Sequence, residues 1–183
     1  MNKWNQKRRV MRRYDLTARM YDERYAEEQV AKYHAALKHL DIHGNVLDVG
    51  CGTGLFFNHV VADAQTVVGV DISRSLLLQA KERARAFFNV HLVQADADHL
   101  PFRDACFNVV LAFTLLQNMP KPLETLSELR RSAKQGAHVV VSGLKKAFSL
   151  EAFTVLLHDA GLQVVSFEDD EGLKCHVSVT IRC

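Results

Sequence analysis

The chain has 183 residues, of which 48% are apolar and 24% charged, with a formal net charge of +2. That length supports one domain with a sizeable core rather than two, and the overall charge selects no particular partner. No apolar run approaches the roughly 20 residues of a membrane-spanning helix, and the basic N-terminus lacks the apolar core of a secretory signal, so a cytoplasmic location is expected.

Residues 1–13 hold Lys3, Lys7, Arg8, Arg9, Arg12 and Arg13 without an acid, and read as a basic arm. Tyr25, Val30, Tyr33, Leu37 and Leu40 fall near one face of a helix over 25–40, which the turn DIHG ends. A short buried strand over 45–49 runs into a glycine loop, and 55–63 can form a helix. A strand over 66–71 precedes a strong helix over 73–88, with Ser73 as its N-cap. Strands follow over 90–96 and 107–113, then a helix over 121–136 with Pro122 near its start and Gly136 past its end. The chain closes with a strand over 137–143, a helix over 149–161 capped by Gly161, and strands over 162–168 and 174–182. Only DDEG and Leu173 join the last two strands, too short a link for a crossover helix, so they form an antiparallel hairpin. Strands and helices alternate from 45 to 161, which predicts an α/β fold: a doubly wound, mostly parallel sheet with helices on both faces. Cysteines 51, 106, 175 and 183 and the nine histidines have no ligand spacing. They read as free thiols in a reducing compartment and scattered imidazoles, and no metal centre is expected.

The stretch LDVGCGTG (47–54) ends the first strand, where an open parallel sheet binds its ligands. Glycines there let the backbone approach a ligand closely. The spacing of Gly50, Gly52 and Gly54 is G-x-G-x-G, one residue short of the dinucleotide fingerprint. Asp48 argues further against that reading, because a carboxylate in a phosphate-binding turn repels pyrophosphate and suits a cationic ligand. S-adenosylmethionine, with its sulfonium and ammonium groups, is such a ligand. Asp71 ends the second strand, where an acid accepts both ribose hydroxyls. Asp96 ends the third, placed to accept from an adenine amino group, with the Ala97 amide next to it. A lone surface Asp is more often a cap or a turn residue; three at equivalent strand ends beside the glycines point to an adenosine-like ligand.

These motifs resemble those of the class I S-adenosylmethionine-dependent methyltransferases. VLDVGCGTG looks like their first motif, VVGVDIS like the second, and VQADADHLPFRDACFNVVLAFTLLQNM like the third and fourth run together. The likeness covers about residues 45–143 and implies a seven-stranded sheet whose last strand is antiparallel. It implies that Asp48 lies near the methionine end of the cofactor, lined by Gly50, Cys51, Gly52 and Gly54. Asp71 then holds the ribose, Ile72 packs on the adenine, Asp96 and Ala97 contact its edge, and Phe113 and Thr114 face the methyl group. Many small members carry a histidine where this chain has Asn118, placed on the substrate side, and QNMP is not the amide-methylating N-P-P-Y signature. YDLTARMYDERYAEE (14–28) resembles a segment that folds over the cofactor; Tyr14 and Tyr21 either contact cofactor or substrate or pack a helix on the core. The implied organisation is a basic arm and packing helix over 1–44 and the cofactor-binding methyltransferase domain over 45–183.

The cofactor carries the activated group, so the protein's task is to bind, align and shield. No residue identifies itself as a base; His91, Asp98 and His99 lie near the third strand's end without a partner that would mark them. The nearly minimal domain and the arm KRRVMRR beside Trp4 favour a macromolecular acceptor, RNA first, with small-molecule and protein acceptors left open. Bare members of the family sometimes work with a small activating subunit, and VHLV in the third strand, expected at a sheet edge, offers a place for a partner strand. A nicotinamide oxidoreductase and a non-catalytic cofactor-binding partner are the competing classes, opposed by Asp48 and by the intact acids and glycines.

Overall fold

The computed structural model describes residues 2–183; the side chains of Arg19 and Tyr21 lie outside the described residues, so the role expected of Tyr21 has no structural account. Short, β-branched apolar runs form the strands β1 (Asn45–Val49), β2 (Thr66–Asp71), β3 (Val90–Gln94), β4 (Phe107–Ala112), β5 (Ala133–Leu144), β6 (Leu162–Glu168) and β7 (Cys175–Arg182). They make one seven-stranded sheet in the order β3-β2-β1-β4-β5-β7-β6. β1 to β5 pair in parallel, and β7 runs antiparallel to both β5 and β6. β7 enters between β5 and β6 because the short link after β6 can only reverse the chain.

The helices are α1 (Lys3–Thr17), α2 (Tyr21–Leu37), α3 (Phe57–Val60), α4 (Arg74–Ala84), α5 (Pro122–Ser132) and α6 (Leu150–Asp159). The central strands are buried on both faces, so they read as continuous apolar runs. Val46 of β1 packs with Tyr33, Phe56 and Phe57 on one face. Leu47, its neighbour, packs with Leu126, Leu129, Phe153 and Leu157 on the other. Each such side chain contributes roughly 1.5–3 kcal/mol of burial. No helix of the described residues is long and apolar enough to cross a membrane, and they contain no group of three or more side chains able to hold a metal ion.

The end signals at Ser73 and Gly161 act as expected. Ser73 Oγ accepts from the Leu76 amide at 3.2 Å, and Gly161 turns out of α6 at φ +70°. Other boundaries differ. α3 is one turn, not nine residues, because bonds such as Phe57 N–H to Gly54 O and Asp63 N–H to Val60 O close three residues back and tighten both ends. α5 stops at Ser132, and Ala133 already pairs with Phe107 of β4. Gly136, at φ +73°, therefore does not cap a helix; it sits inside β5, where the register jumps from Phe107↔Ala133 to Val109↔His138. The largest correction concerns the expected basic arm over 1–13: from Lys3 onward it is helix, the larger part of α1, and Met1 lies outside the described residues.

Candidate functional site

The carboxyl ends of β1, β2, β3 and β4 open on a cavity. Gly50 and Gly52 line it together with Asp71, Ile72, Asp96 and Ala97, and Phe113, Thr114 and Asn118 line its far side. A small adjoining pocket is lined by Asp48, Gly50, Cys51 and Phe113, with Gln29, Tyr33 and Thr53. Residues from positions 48 to 118 thus meet in one place. Gly54 is the exception. It lines neither pocket; its φ of +76° and the Phe57 ring against the place of a Cβ make it a turn residue. Gly50 is the glycine that brings backbone to the cavity: at φ +76°, it would set a Cβ 3.3 Å from Leu115 Cδ1.

The electrostatics of the loop are set by two buried acids. Asp71, 9% exposed, accepts from the Gly52 amide at 3.0 Å and from the Ser73 amide at 2.8 Å, which fixes its carboxylate at the strand end. Burial pushes its pKa up to about 6 in spite of those donors. Asp48, 3% exposed, is pushed up to about 7 by burial and by the like charge of Asp71. Two desolvated acids side by side are a poor seat for a phosphate and a good one for a cation. The donor set therefore fits S-adenosylmethionine: two buried acids able to balance its ammonium and sulfonium, with bare backbone beside them. The same burial and acids raise the Cys51 thiol well above its ordinary value, so it is an inert filler of the small pocket.

α1 covers this cavity. Lys7, Val10 and Tyr14, one helical face, line it. Lys7 is 6% exposed, and its ammonium donates to both oxygens of Asp96 at 2.7 Å and to Asp98. Asp15 accepts from Ser73 Oγ at 2.6 Å and from the Ser75 amide at 3.2 Å, fastening α1 to the start of α4. Beyond it, Asp22 accepts from Thr53 Oγ1 at 2.6 Å and pairs with Arg83 at 2.9 Å. Arg13 donates to Asn118 at 2.9 Å, and Asn118 donates to the Tyr14 hydroxyl at 3.2 Å. Lys3, Lys7 and Arg13 are thus spent on contacts within the chain, which leaves Arg8, Arg9 and Arg12 on the outside. The spacing of Lys7, Val10 and Tyr14 was the available cue to this helix; its charge density concealed it.

Thr114 has a left-handed backbone, φ +57°, that a β-branched residue adopts only under constraint. The constraint is visible. Its amide donates to Ser142 Oγ of β5 at 2.8 Å, and its carbonyl accepts from Gln117 at 2.8 Å and Asn118 at 3.1 Å. Its hydroxyl oxygen accepts from Lys32 of α2 at 2.8 Å and lies 3.2 Å from the Gln29 amide. No sequence motif pointed to Lys32, Gln29 or Ser142.

The profile of the methyltransferase domain matches residues 47–141. Malonyl-[acyl-carrier protein] O-methyltransferase from Marinomonas sp. is 32% identical over 144 residues, 76% of this chain and 53% of that protein. Demethylmenaquinone methyltransferase from Staphylococcus haemolyticus is 35% identical over 105 residues, 56% of this chain and 44% of that protein. The chain thus spans about half the length of these relatives. Among solved structures, an S-adenosylmethionine-dependent methyltransferase from Aquifex aeolicus superposes with a TM-score of 0.78 at 19% identity, covering 92% of this chain and 98% of that one. A Haloferax volcanii methyltransferase in complex with the activator Trm112 gives 0.76 at 17%, covering 92% and 97%. With the profile match falling on the glycine loop and the strand ends that frame the cavity, the chain belongs to the methyltransferase-domain family, the class I S-adenosylmethionine-dependent methyltransferases.

Proposed function

We propose that the chain is an S-adenosylmethionine-dependent methyltransferase acting on a small-molecule acceptor. The observation that carries this is the convergence of Asp48, Asp71 and Asp96 with the glycine loop on a cavity roofed by α1. Bound there, the cofactor supplies a methyl group on an electrophilic sulfonium. Asp71 holds the ribose hydroxyls, Asp96 and Ala97 take the adenine edge, and Ile72 packs on its face. Asp48 and the small pocket receive the amino-acid end. Phe113, Thr114, Tyr14 and Asn118 line the acceptor side, exclude water and set the angle of approach.

Two facts favour a small acceptor over RNA. The basic segment is the roof of the site, with Lys7 turned inward and Lys3 and Arg13 paired within the chain, so only part of its charge faces solvent. The relatives are named for demethylmenaquinone and for malonyl-[acyl-carrier protein], neither of them a nucleic acid. The test is transfer of radiolabelled methyl from S-adenosylmethionine into fractionated cell extract, with Asp48→Ala as control. Label in the small-molecule fraction supports the reading; label lost to nuclease overturns it.

A second reading concerns a partner. β3 is an edge strand with half-open faces, and a neighbour in fold is described in complex with an activator. A small subunit adding a strand at Val90–Gln94 would give a heterodimer on sizing of natively purified protein, and a single monomeric peak would reject it.

A further inference from the structure

Lys32 is 1% exposed, yet it lines neither pocket and no step above uses it. Its surroundings are polar by construction. Its ammonium donates to Thr114 Oγ1 at 2.8 Å and lies 3.3 Å from Glu28, one helical turn earlier. Glu28 is shared with Lys174 at 3.2 Å, so two cations face one anion and the cluster keeps a surplus positive charge. Its place in the sheet is informative. The candidate cofactor residues stand over β1, β2 and β3, whereas Lys32, Thr114, Ser142 and Lys174 gather where β4, β5 and β7 meet. That is the acceptor half.

An ammonium can only donate, so Thr114 Oγ1 must accept from Lys32. The hydroxyl proton is then directed away from Lys32, to Gln29 or into the cavity that Thr114 lines. A hydroxyl polarised from behind by a buried cation is a strengthened donor, and it gains more from a negative oxygen than from a neutral one. The strained backbone of Thr114, held by bonds to its amide and carbonyl, fixes the place of the oxygen, and the proton turns between Gln29 and the cavity. Among the described residues, the acceptor end itself (Tyr14, Phe113, Thr114, Leu115, Asn118, Met119) carries neither a carboxylate nor an imidazole.

We propose that Lys32, acting through Thr114, selects an acceptor that arrives as an oxygen anion, a carboxylate or an enolate. Lys32 is a positioning residue; Thr114 is the group that touches the acceptor. The inference rests on the methyltransferase reading. An oxygen lone pair of the carboxylate, or the C=C π pair of the enolate as its oxygen re-forms the carbonyl, forms the bond to the methyl carbon as the methyl–sulfur bond breaks and its pair returns to sulfur. The acceptor's negative charge cancels the positive charge of the sulfonium, and no proton has to be taken before transfer.

The test measures binding by calorimetry to the S-adenosylhomocysteine-loaded protein. The enolate probe is 2-hydroxy-1,4-naphthoquinone against its 2-methoxy ether, and the carboxylate probe is malonyl-N-acetylcysteamine against its methyl ester. The wild-type chain should prefer the anion of at least one pair by about tenfold or more, and the preferred pair identifies the source of the anion. Lys32→Met and Thr114→Val should abolish that preference, Thr114→Ser should keep it, and all three should bind S-adenosylhomocysteine within about threefold of wild type. If Lys32→Met fails to fold, the isosteric Thr114→Val carries the test. The inference is overturned by wild type lacking preference in both pairs, by preference surviving Thr114→Val, or by cofactor affinity falling in step with it. Wild type that fails to bind S-adenosylhomocysteine would overturn the cofactor reading itself, a result distinct from any of these.

Discussion

Asp48→Asn should stabilise the fold while weakening the cofactor site, and pH should expose the cause. In the native chain burial and Asp71 raise the Asp48 carboxyl from 3.8 to about 7. Below the unfolded value both states are protonated and the group has no effect on stability. Between that value and about 7 the native state holds a proton that the unfolded state releases, so stability falls as pH rises. Above it the native carboxyl ionises and the loss is complete. The separation corresponds to about 4 kcal/mol at roughly 1.4 kcal/mol per pH unit. Relaxation and water penetration reduce this, and about 2 kcal/mol is expected at pH near 8. For a domain of this size that is about 4–8 °C in Tm. Asn has nearly the same shape and no charge at any pH. The Tm difference between variant and wild type should therefore grow from acid toward neutral pH and then level off. Scanning fluorimetry across that range, without ligand, measures it. Calorimetric titration of S-adenosylmethionine near pH 8 should show affinity falling by about tenfold or more, the worth of a charge-assisted contact. A Tm difference that does not change with pH, or an unchanged affinity, would refute the argument.

Three further outcomes follow from the geometry. Lys7→Met leaves Asp96 and Asp98 without their cation; amide exchange in Lys3–Thr17 should speed up by about tenfold or more while β4 and β5 stay protected. Uniform exchange across the chain would show that α1 is not a separate unit. Gly54→Ala forces a Cβ into the Phe57 ring at positive φ and should cost about 2–4 kcal/mol in denaturant unfolding, whereas a loss under about 1 kcal/mol would contradict the packing. Iodoacetamide should modify the exposed Cys183 of the native protein and spare Cys51 and Cys175, whose burial raises their thiols; rapid labelling of Cys51 would show that the small pocket opens.

What the sequence made legible was local. NVLDV and TVVGVD read as buried strands because both faces of the sheet are covered, and Ser73 and Gly161 announce helix ends through their own side-chain and backbone chemistry. Asp71 could be placed because a strand end is a fixed address in a parallel sheet. The contacts of α1 were not legible. Lys7 finds its partners 89 and 91 residues away, and nothing in KWNQKRRV distinguishes an inward lysine from a solvated one. Lys32 is a similar case: in YHAAL-flanked helix it reads as an ordinary surface cation until β4, β5 and β7 are brought against it. Gly54 looked like its two neighbours in the loop, and only the position of the Phe57 ring separates its duty from theirs.

The buried residue of α1 is a lysine, and its Leu16 and Trp4 face outward. A cover seated by apolar burial would share the driving force of the core beneath it. This one is fastened by carboxylates on a buried lysine, pairs that salt screens only weakly, so opening it means stripping Lys7 of both its acids. Ligand exchange and the integrity of the core are thereby set by different forces. The roof and the scaffold that aligns the reactants can therefore change independently, the one through its ion pairs and the other through its packing.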